Sequence, residues 1–203
     1  MREDLPQVVD VVFGVAGTSV PADSAGPLLQ AVERVLPWLA DEALAGIHPL
    51  HAVATTYGVA LLAQRAKLVL RVPEARLPDS LALEGTELDV AGSLLAVGGG
   101  KARPLGASAT LAAQRVASAE ADTERFEAEM RRQLTAMAVV CDFISGRARQ
   151  ARAGGRDIAG FALALHGLSP AASLRVQAQG IGGERRLGWG VFVPAKSIAA
   201  VRL

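Results

Sequence analysis

The chain has 203 residues, of which 51% are hydrophobic and 20% charged, and its formal net charge is +1. This composition excludes a disordered tail and a highly charged coat protein, and the length suits one large domain or two small ones. No apolar run reaches the ~18 residues of a membrane span, and the charged N-terminus does not match a signal peptide. We therefore expect a soluble, cytoplasmic protein, with no disulfide because Cys141 is the only cysteine.

Basic residues are unevenly distributed along the chain. Residues 1–142 hold 12 bases and 18 acids, whereas residues 143–203 hold nine bases and two acids. Such a basic segment is typical of a protein that binds a polyanion, and a solvated basic surface is the plainer alternative. Arginine supplies 18 of the 21 bases, which suits phosphate but is also what a GC-rich genome produces.

The first half of the chain begins with a strand and a helix. Short, β-branched Val8–Val15 predicts the strand. A helix is expected after Pro21-Ala-Asp-Ser24, with Asp23 or Ser24 as its N-cap and apolar residues at helical spacing. The remaining elements are strands at 47–55 and 58–71, a short helix near 74–80 and strands within 87–97.

The second half repeats this order of elements. We predict a strand at 110–117, a helix at 122–137, strands at 139–145 and 158–166, a helix at 169–179 and a strand at 190–194. The pattern β-α-β-β-α-β, present twice, indicates an α+β fold of two tandem ferredoxin-like (RRM-like) domains. We place these domains at 1–102 and 107–203, with a linker around 101–108. Gly98-Gly-Gly-Lys101 lacks the Ser or Thr that a phosphate loop needs, so we interpret it as a hairpin turn.

The segment 180–194 is rich in glycine, with five glycines in its first eleven residues. Glycine lets the backbone approach a bulky anion, arginines bind phosphates, and tryptophan can stack on a base. The alternative is a long turn around a buried tryptophan. The predicted nucleic-acid contacts of this segment and of the strand that follows are Gly182, Gly183, Arg185, Arg186, Trp189 and Lys196.

Two further basic clusters favour the same class of partner. The first alternates along a predicted strand, which places Arg65, Lys67 and Arg71 on one face. The second lies in a predicted loop around Gly154-Gly155 and consists of Arg147, Arg149, Arg152 and Arg156. Either cluster can contact the phosphates of an A-form hairpin or simply lie in solvent.

The glycine-rich segment resembles that of the sixth CRISPR-associated protein, the endoribonuclease that processes CRISPR repeat transcripts. Other stretches resemble the compact MYXAN-type subgroup of this family, in order along nearly the whole chain. These stretches are Asp10–Gly17, Leu36–Leu39, Gly46–Leu50, Arg65–Pro73, Gly146–Arg149, Gly160–Leu163 and Gly188–Ile198. The resemblance implies tandem ferredoxin-like domains and a CRISPR repeat stem-loop as the RNA partner.

The resemblance also implies metal-independent cleavage at the base of the repeat hairpin, after which the enzyme retains the crRNA. A ribose 2′-OH attacks the neighbouring phosphate and the 5′-oxygen leaves, which requires a base, an acid and cations. Histidine suits the proton transfers. We expect no cofactor and no metal, a monomer on its own, and other CRISPR effector subunits as further partners.

The catalytic candidates are Ser24, His48 and His51. In the subgroup the first helix usually begins Pro-x-Asp-His, and here Ser24, which lacks useful basicity at neutral pH, occupies the position of that histidine. His48, in the matching Gly-Ile-His-Pro segment, is therefore favoured as the acid–base residue, with a structural histidine at a strand edge as the alternative. Ser24 keeps a second hypothesis open, a non-catalytic crRNA-binding subunit of a CRISPR effector complex. A protein-interaction module is disfavoured because it needs neither the basic segment nor the glycine loop.

Overall fold

A computed structural model describes residues 7–119, 122–153 and 156–195. These residues form two compact units. The first comprises residues 7–104 together with the described residues of 152–156, and the second comprises 105–151 and 157–195. Within the described residues, no helix is long and apolar enough to cross a membrane.

The first unit contains eight strands and two α-helices among its described residues. The strands are β1 (Val8–Ala16), β2 (Ser19–Pro21), β3 (Gly46–Ile47), β4 (Ala52–Thr56), β5 (Val59–Leu62), β6 (Lys67–Pro73), β7 (Glu87–Val90) and β8 (Ser93–Pro104). The helices are α1 (Ala25–Val35) and α2 (Leu77–Ser80), with 3-10 turns at Pro37–Ala40, Glu74–Arg76 and Leu81–Leu83.

Five strands of this unit form an antiparallel sheet in the order β3-β6-β1-β8-β7. Strand side chains alternate between the two faces, so Val9, Val11 and Phe13 of β1 enter the core together with Leu28 and Val32 of α1. We call the opposite side of this sheet the outer face. It carries Asp10, Gly14, Lys67, Arg71, Lys101 and Arg103, as the strand registers show.

Two predicted strands of the first unit are broken in the structure. The strand predicted at 47–55 divides into β3 and β4, with Pro49, which lacks an N–H to donate, between them. The strand predicted at 58–71 divides at the turn Gln64–Arg65 into β5 and β6. As a result, β4 and β5 leave the main sheet and form a three-stranded sheet with β2.

The prediction of a hairpin turn at 98–101 is wrong. These residues lie inside β8, which pairs with β1 as far as Pro104. The glycines accommodate a shift of register between Phe13 and Val15, where β8 carries one extra residue. Lys101 and Arg103 are therefore strand residues and not part of a linker.

The second unit has the predicted β-α-β-β-α-β order without the additional strands of the first unit. Its described elements are β9 (Thr110–Ser118), α3 (Thr123–Ala136), β10 (Asp142–Ala153), β11 (Arg156–His166), α4 (Pro170–Gln179), a 3-10 turn at Arg185–Leu187 and β12 (Val193–Pro194). The four strands pair in the order β10-β11-β9-β12. The predicted α+β fold of two tandem ferredoxin-like domains is confirmed.

Helix α3 anchors the core of the second unit. Asp122 caps it by accepting a 2.8 Å hydrogen bond from the backbone N–H of Arg125. Phe126, Met130 and Leu134 follow at four-residue spacing and are buried. The ring of Phe126 lies 4.7 Å from that of Phe161 on β11, centroid to centroid. The helix is thus held to the sheet by one apolar stripe.

We predict that Phe126→Ala lowers the free energy of unfolding by about 3–5 kcal/mol, because it leaves a cavity where a fully buried ring was removed. Urea unfolding followed by circular dichroism measures the change. The control is Val140→Ala, whose side chain is 89% exposed. It should change the free energy by no more than about 0.5 kcal/mol. Equal effects of the two substitutions would contradict this account of the core.

Candidate functional site

A buried carboxylate lies at the centre of the outer face. Asp10 is 3% exposed and interrupts an otherwise apolar strand. Arg71 on β6 and Arg103 on β8 lie opposite Asp10 on either side of it. An acidic residue buried to this extent must be paired with cations, because an isolated charge is costly to remove from water.

The contacts of Asp10 provide that pairing. Arg71 donates from Nε to Oδ1 at 2.8 Å and from Nη2 to Oδ2 at 3.2 Å, which is a bidentate ion pair. Arg103 donates from Nη2 to Oδ2 at 3.0 Å. His48 Nε2 lies 3.3 Å from Oδ1 of the same carboxylate. We call these four residues the Asp10 cluster.

The Asp10 cluster shifts the pKa values of its acid and of its histidine. Burial by itself would raise the pKa of Asp10, but the contacts with His48 and Arg71 outweigh it and hold that pKa well below its usual range. Burial lowers the pKa of His48, the nearby Asp10 opposes this, and the charges of Arg71 and Arg103 lower it further. His48 is therefore a neutral imidazole at physiological pH.

His48 is held at the edge of the sheet by its own backbone, whose N–H donates to the carbonyl of Val69 at 2.9 Å. Its side chain is only 12% exposed. Nε2 is buried, so the exposed fraction belongs to the remaining atoms of the side chain. A direct contact with a substrate would therefore involve His48 atoms other than Nε2.

The structure places the other two catalytic candidates apart from the Asp10 cluster. Ser24 is the N-cap residue of α1, as predicted, and its hydroxyl makes no capping hydrogen bond. His51 is exposed between β3 and β4. Neither residue is among the described contacts of Asp10, Arg71 or Arg103.

The predicted row of Arg65, Lys67 and Arg71 is only partly present. Lys67 and Arg71 share the outer face, but Arg65 lies in the turn before β6. Arg71 is 1% exposed and its guanidinium binds Asp10, so a ligand cannot reach it directly in this structure. The exposed cations of the outer face are instead Lys67, Lys101 and Arg103.

The glycine-rich segment is largely a packed turn. Trp189 is fully buried, with the Arg115 guanidinium carbon 5.6 Å from its ring centre, so its ring is not accessible to a base in this structure. Arg185 is also buried and donates to the carbonyls of Gln177 and Ala178 at the end of α4. Its guanidinium therefore caps this helix.

The glycines of this segment allow close packing of the backbone. Gly182 adopts φ +84°, and a Cβ there would lie 2.6 Å from a methyl group of Val116. Gly183, at φ +75°, is exposed and has open space around it. Arg186 is half-buried. Gly183 and Arg186 are thus the predicted RNA contacts of the segment that a ligand can reach most directly, while Lys196 lies outside the described residues.

The arginines predicted in a loop lie on strands. Arg147, Arg149 and Arg152 belong to β10, and Arg156 begins β11. Arg147, Arg152 and Arg156 are exposed and Arg149 is half-buried. The neighbouring strands β10 and β11 therefore present these basic side chains, which do not lie in a polar loop as predicted.

Two features of the sequence could have revealed the Asp10 cluster. Asp10 is the only charged residue in the run Gln7–Ala16, which is the pattern of a buried and paired acid. Lys101 and Arg103 are separated by one residue, which is the spacing of one strand face. Their assignment to a linker concealed this spacing, and pairing across strands is not encoded locally.

The chain has clear relatives of known family. Residues 9–197 match the family model Cas6, described as Cas6 Crispr. The chain belongs to the Cas6 family. The "CRISPR-associated endonuclease Cas6" of Myxococcus xanthus (strain DK1622) is 37% identical over 195 residues, which cover 96% of this chain and 84% of that protein.

Solved structures of Cas6 proteins share the fold. One described as "CRISPR associated protein Cas6" aligns with a TM-score of 0.65 at 10% identity, over 94% of this chain and all of that one. A Cas6-related protein from Pyrococcus furiosus gives a TM-score of 0.61 at 10% identity, over 94% and 99%. Thermus thermophilus Cse3 bound to an RNA representing a pre-cleavage complex gives 0.52 at 15% identity, over 92% and 98%.

Removing the carboxylate of this Cas6-family chain tests the Asp10 cluster. Asp10→Ala leaves Arg71 buried without its ion-pair partner, so we expect the free energy of unfolding to fall by about 3–5 kcal/mol. The control is Asp79→Ala, which removes an exposed ion pair with Arg76 and should cost less than about 1 kcal/mol.

The same comparison has a defined pH dependence. The pKa of Asp10 is lower in the folded than in the unfolded chain, so its stabilisation is present above the unfolded value of about 3.9 and is lost as the pH falls below it. The difference in the free energy of unfolding between wild type and Asp10→Ala should therefore decrease as the pH is lowered. A difference that stays constant from pH 7 to pH 2.5 would contradict the cluster.

His48 in the Cas6-family chain should titrate below the ordinary histidine value of about 6.5. Burial and the neighbouring arginines disfavour its charged form. NMR titration of the Cε1–H resonances measures the midpoint, and the spectrum of His48→Gln assigns the signal. A midpoint at or above that ordinary value would contradict this expectation, because it would mean that Asp10 raises the pKa of His48 by at least as much as burial lowers it.

Proposed function

We propose that this chain is a CRISPR-repeat endoribonuclease that cleaves precursor CRISPR RNA at the base of the repeat hairpin. The observation that carries this proposal is the family match over residues 9–197, supported by the 37% identical endonuclease of M. xanthus. The exposed arginines of β10 and β11 and the cations of the outer face fit a polyanionic substrate. The chain retains the crRNA through these phosphate contacts.

Cleavage follows the metal-independent course of a 2′-OH attack. The 2′-oxygen bonds to phosphorus, the bond from phosphorus to the 5′-oxygen breaks, and the products are a 2′,3′-cyclic phosphate and a 5′-hydroxyl. A base removes the proton of the 2′-OH and an acid returns one to the leaving oxygen. Positively charged side chains stabilise the additional charge on the phosphate oxygens.

His48 is the residue that we propose for the proton transfers. Its lowered pKa keeps the imidazole neutral, as a base must be before the reaction. Asp10, 3.3 Å from Nε2, favours the tautomer protonated there, so Nδ1 carries the lone pair. As the ring gains a proton, Asp10 stabilises the imidazolium. Arg103, bound to the same carboxylate, is the exposed cation of the cluster and is the one that we propose for the phosphate.

The second candidate function is a crRNA-binding subunit that does not cut. Its support is that the resemblance to the MYXAN-type subgroup implies a histidine where this chain has Ser24, and that the Nε2 atom of His48 is buried. This alternative retains the RNA contacts and assigns the Asp10 cluster a purely structural role.

Incubation of the purified chain with its cognate repeat RNA in EDTA distinguishes the two functions. Cleavage into a fragment with a 5′-hydroxyl end supports the enzyme, and a shifted but intact RNA supports the binding subunit. RNA binding that does not weaken with salt would contradict both functions, since phosphate contacts release counterions.

We expect His48→Gln to reduce the single-turnover cleavage rate by about 10²- to 10⁴-fold, the usual contribution of general acid–base catalysis. RNA affinity and the melting temperature should change little, because glutamine retains a polar group near Asp10. His51→Gln is the matched comparison, and a loss confined to that variant would transfer the role to His51. Ser24→His tests whether the histidine position of the subgroup restores a faster rate.

A further inference from the structure

A groove of about 410 Å³ lies on the outer face, where β1, β6 and β8 meet the turn before β6. Small residues form its floor, among them Gly14, Ala16, Ala96 and Gly98. Arg65 and Lys67 are the two cations of its lining. We call this feature the bulge groove, because it coincides with the shift of register between β1 and β8.

The bulge groove exists because two glycines face each other across the shifted strands. A Cβ on Gly98 would lie 3.4 Å from the carbonyl oxygen of Gly14, in van der Waals contact, so an alanine there would occupy part of the floor. A Cβ on Gly14 would lie 3.6 Å from Nζ of Lys67, which places the ammonium group directly over the floor. The groove is therefore shallow, open and covered on one side by a positive charge.

The charges around the groove are arranged asymmetrically. Within the described part of the chain, neither Arg65 nor Lys67 forms an ion pair, unlike Arg71 and Arg103 in the Asp10 cluster. On the side away from β6, strand β7 carries the acids Glu87 and Asp89, the first of which lies opposite Ala96. An anion in the groove is thus attracted towards β6 and repelled from β7.

We propose that the bulge groove binds one nucleotide of a single-stranded RNA segment that flanks the repeat hairpin, with its phosphate on Lys67 and Arg65. This inference rests on the proposed function. The volume falls in the range of about 300–1,000 Å³ that small-ligand sites occupy. A single splayed nucleotide fits such a groove, whereas an A-form duplex is recognised across its wide minor groove.

The lining of the groove also defines how the nucleotide is recognised. Among the described residues that line it, Gln64 is the only neutral polar side chain and none is aromatic. Affinity therefore comes from the phosphate and from the small residues beneath the sugar. Contacts of this kind position an RNA strand and are insensitive to base identity.

The test compares two fluorescent RNAs, the full repeat with its single-stranded flanks and the stem-loop alone. We expect Arg65→Ala combined with Lys67→Ala to weaken binding of the full repeat about tenfold, the counterion-release effect of two contacts. The slope of log K against log salt should fall by about 1.4, or 0.7 for each lost contact to a single strand. Affinity for the stem-loop alone should be unchanged. The control is Arg34→Gln, an exposed cation on α1, which covers the other face of the sheet.

A variant of unchanged charge separates the groove from general electrostatics. Gly14 has no positive φ, so Gly14→Val suits the strand and fills the floor of the groove beneath Lys67. We expect it to weaken binding of the full repeat as the double variant does, with its melting temperature as the check of folding. When the bases of the single-stranded flanks are permuted, the differences in RNA affinity between wild type and each variant should stay the same.

The outcomes separate this inference from the proposed function. Unchanged affinity of the double variant for the full repeat overturns the inference while the proposed function stands. An equal loss on the stem-loop alone also overturns it, because the contact then belongs to the hairpin. If the wild-type chain binds neither RNA in a salt-dependent manner, the proposed function itself fails, and the inference fails with it.

Discussion

The first ferredoxin-like domain depends on how a single buried carboxylate is neutralised. Asp10 lies on the central strand, and its charge is tolerable only because two arginines from the two neighbouring strands meet it. This requirement pins the register of β6 and β8 against β1, since a slip by one residue would move either arginine to the other face. The guanidinium of Arg71 is buried in its ion pair with Asp10, whereas the side chain of Arg103 binds Asp10 and remains exposed.

The same carboxylate determines the chemistry of His48. The histidine is carried to the cluster by the short strand β3 and lies between a carboxylate and two guanidinium groups. Burial and the guanidinium groups keep the ring neutral, and the carboxylate orients it. The same four residues can therefore stabilise the fold as an ion cluster and also hold His48 as a catalytic base. The position of bound RNA relative to His48 distinguishes a purely structural cluster from a catalytic one.

The order of elements could be predicted because it rests on local signals. The β-branched run Val8–Val15 and the helical spacing of Phe126, Met130 and Leu134 are each encoded within a few residues. The fate of individual arginines could not be predicted in this way. Arg71, Arg185 and the arginines of β10 look alike in sequence, yet one neutralises Asp10, one caps α4 and the others are mostly exposed. These differences depend on partners distant in the chain, as does the burial of Trp189.

The most direct measurement is a crystal structure of the chain with repeat RNA that carries a 2′-deoxy nucleotide at the cleavage position. This substitution removes the attacking hydroxyl and preserves the complex. The account predicts that the scissile phosphate lies within hydrogen-bonding reach of the exposed side of the His48 ring, with Arg103 on the phosphate oxygens. A scissile phosphate bound beside Ser24, with the His48 ring still covered, would contradict it.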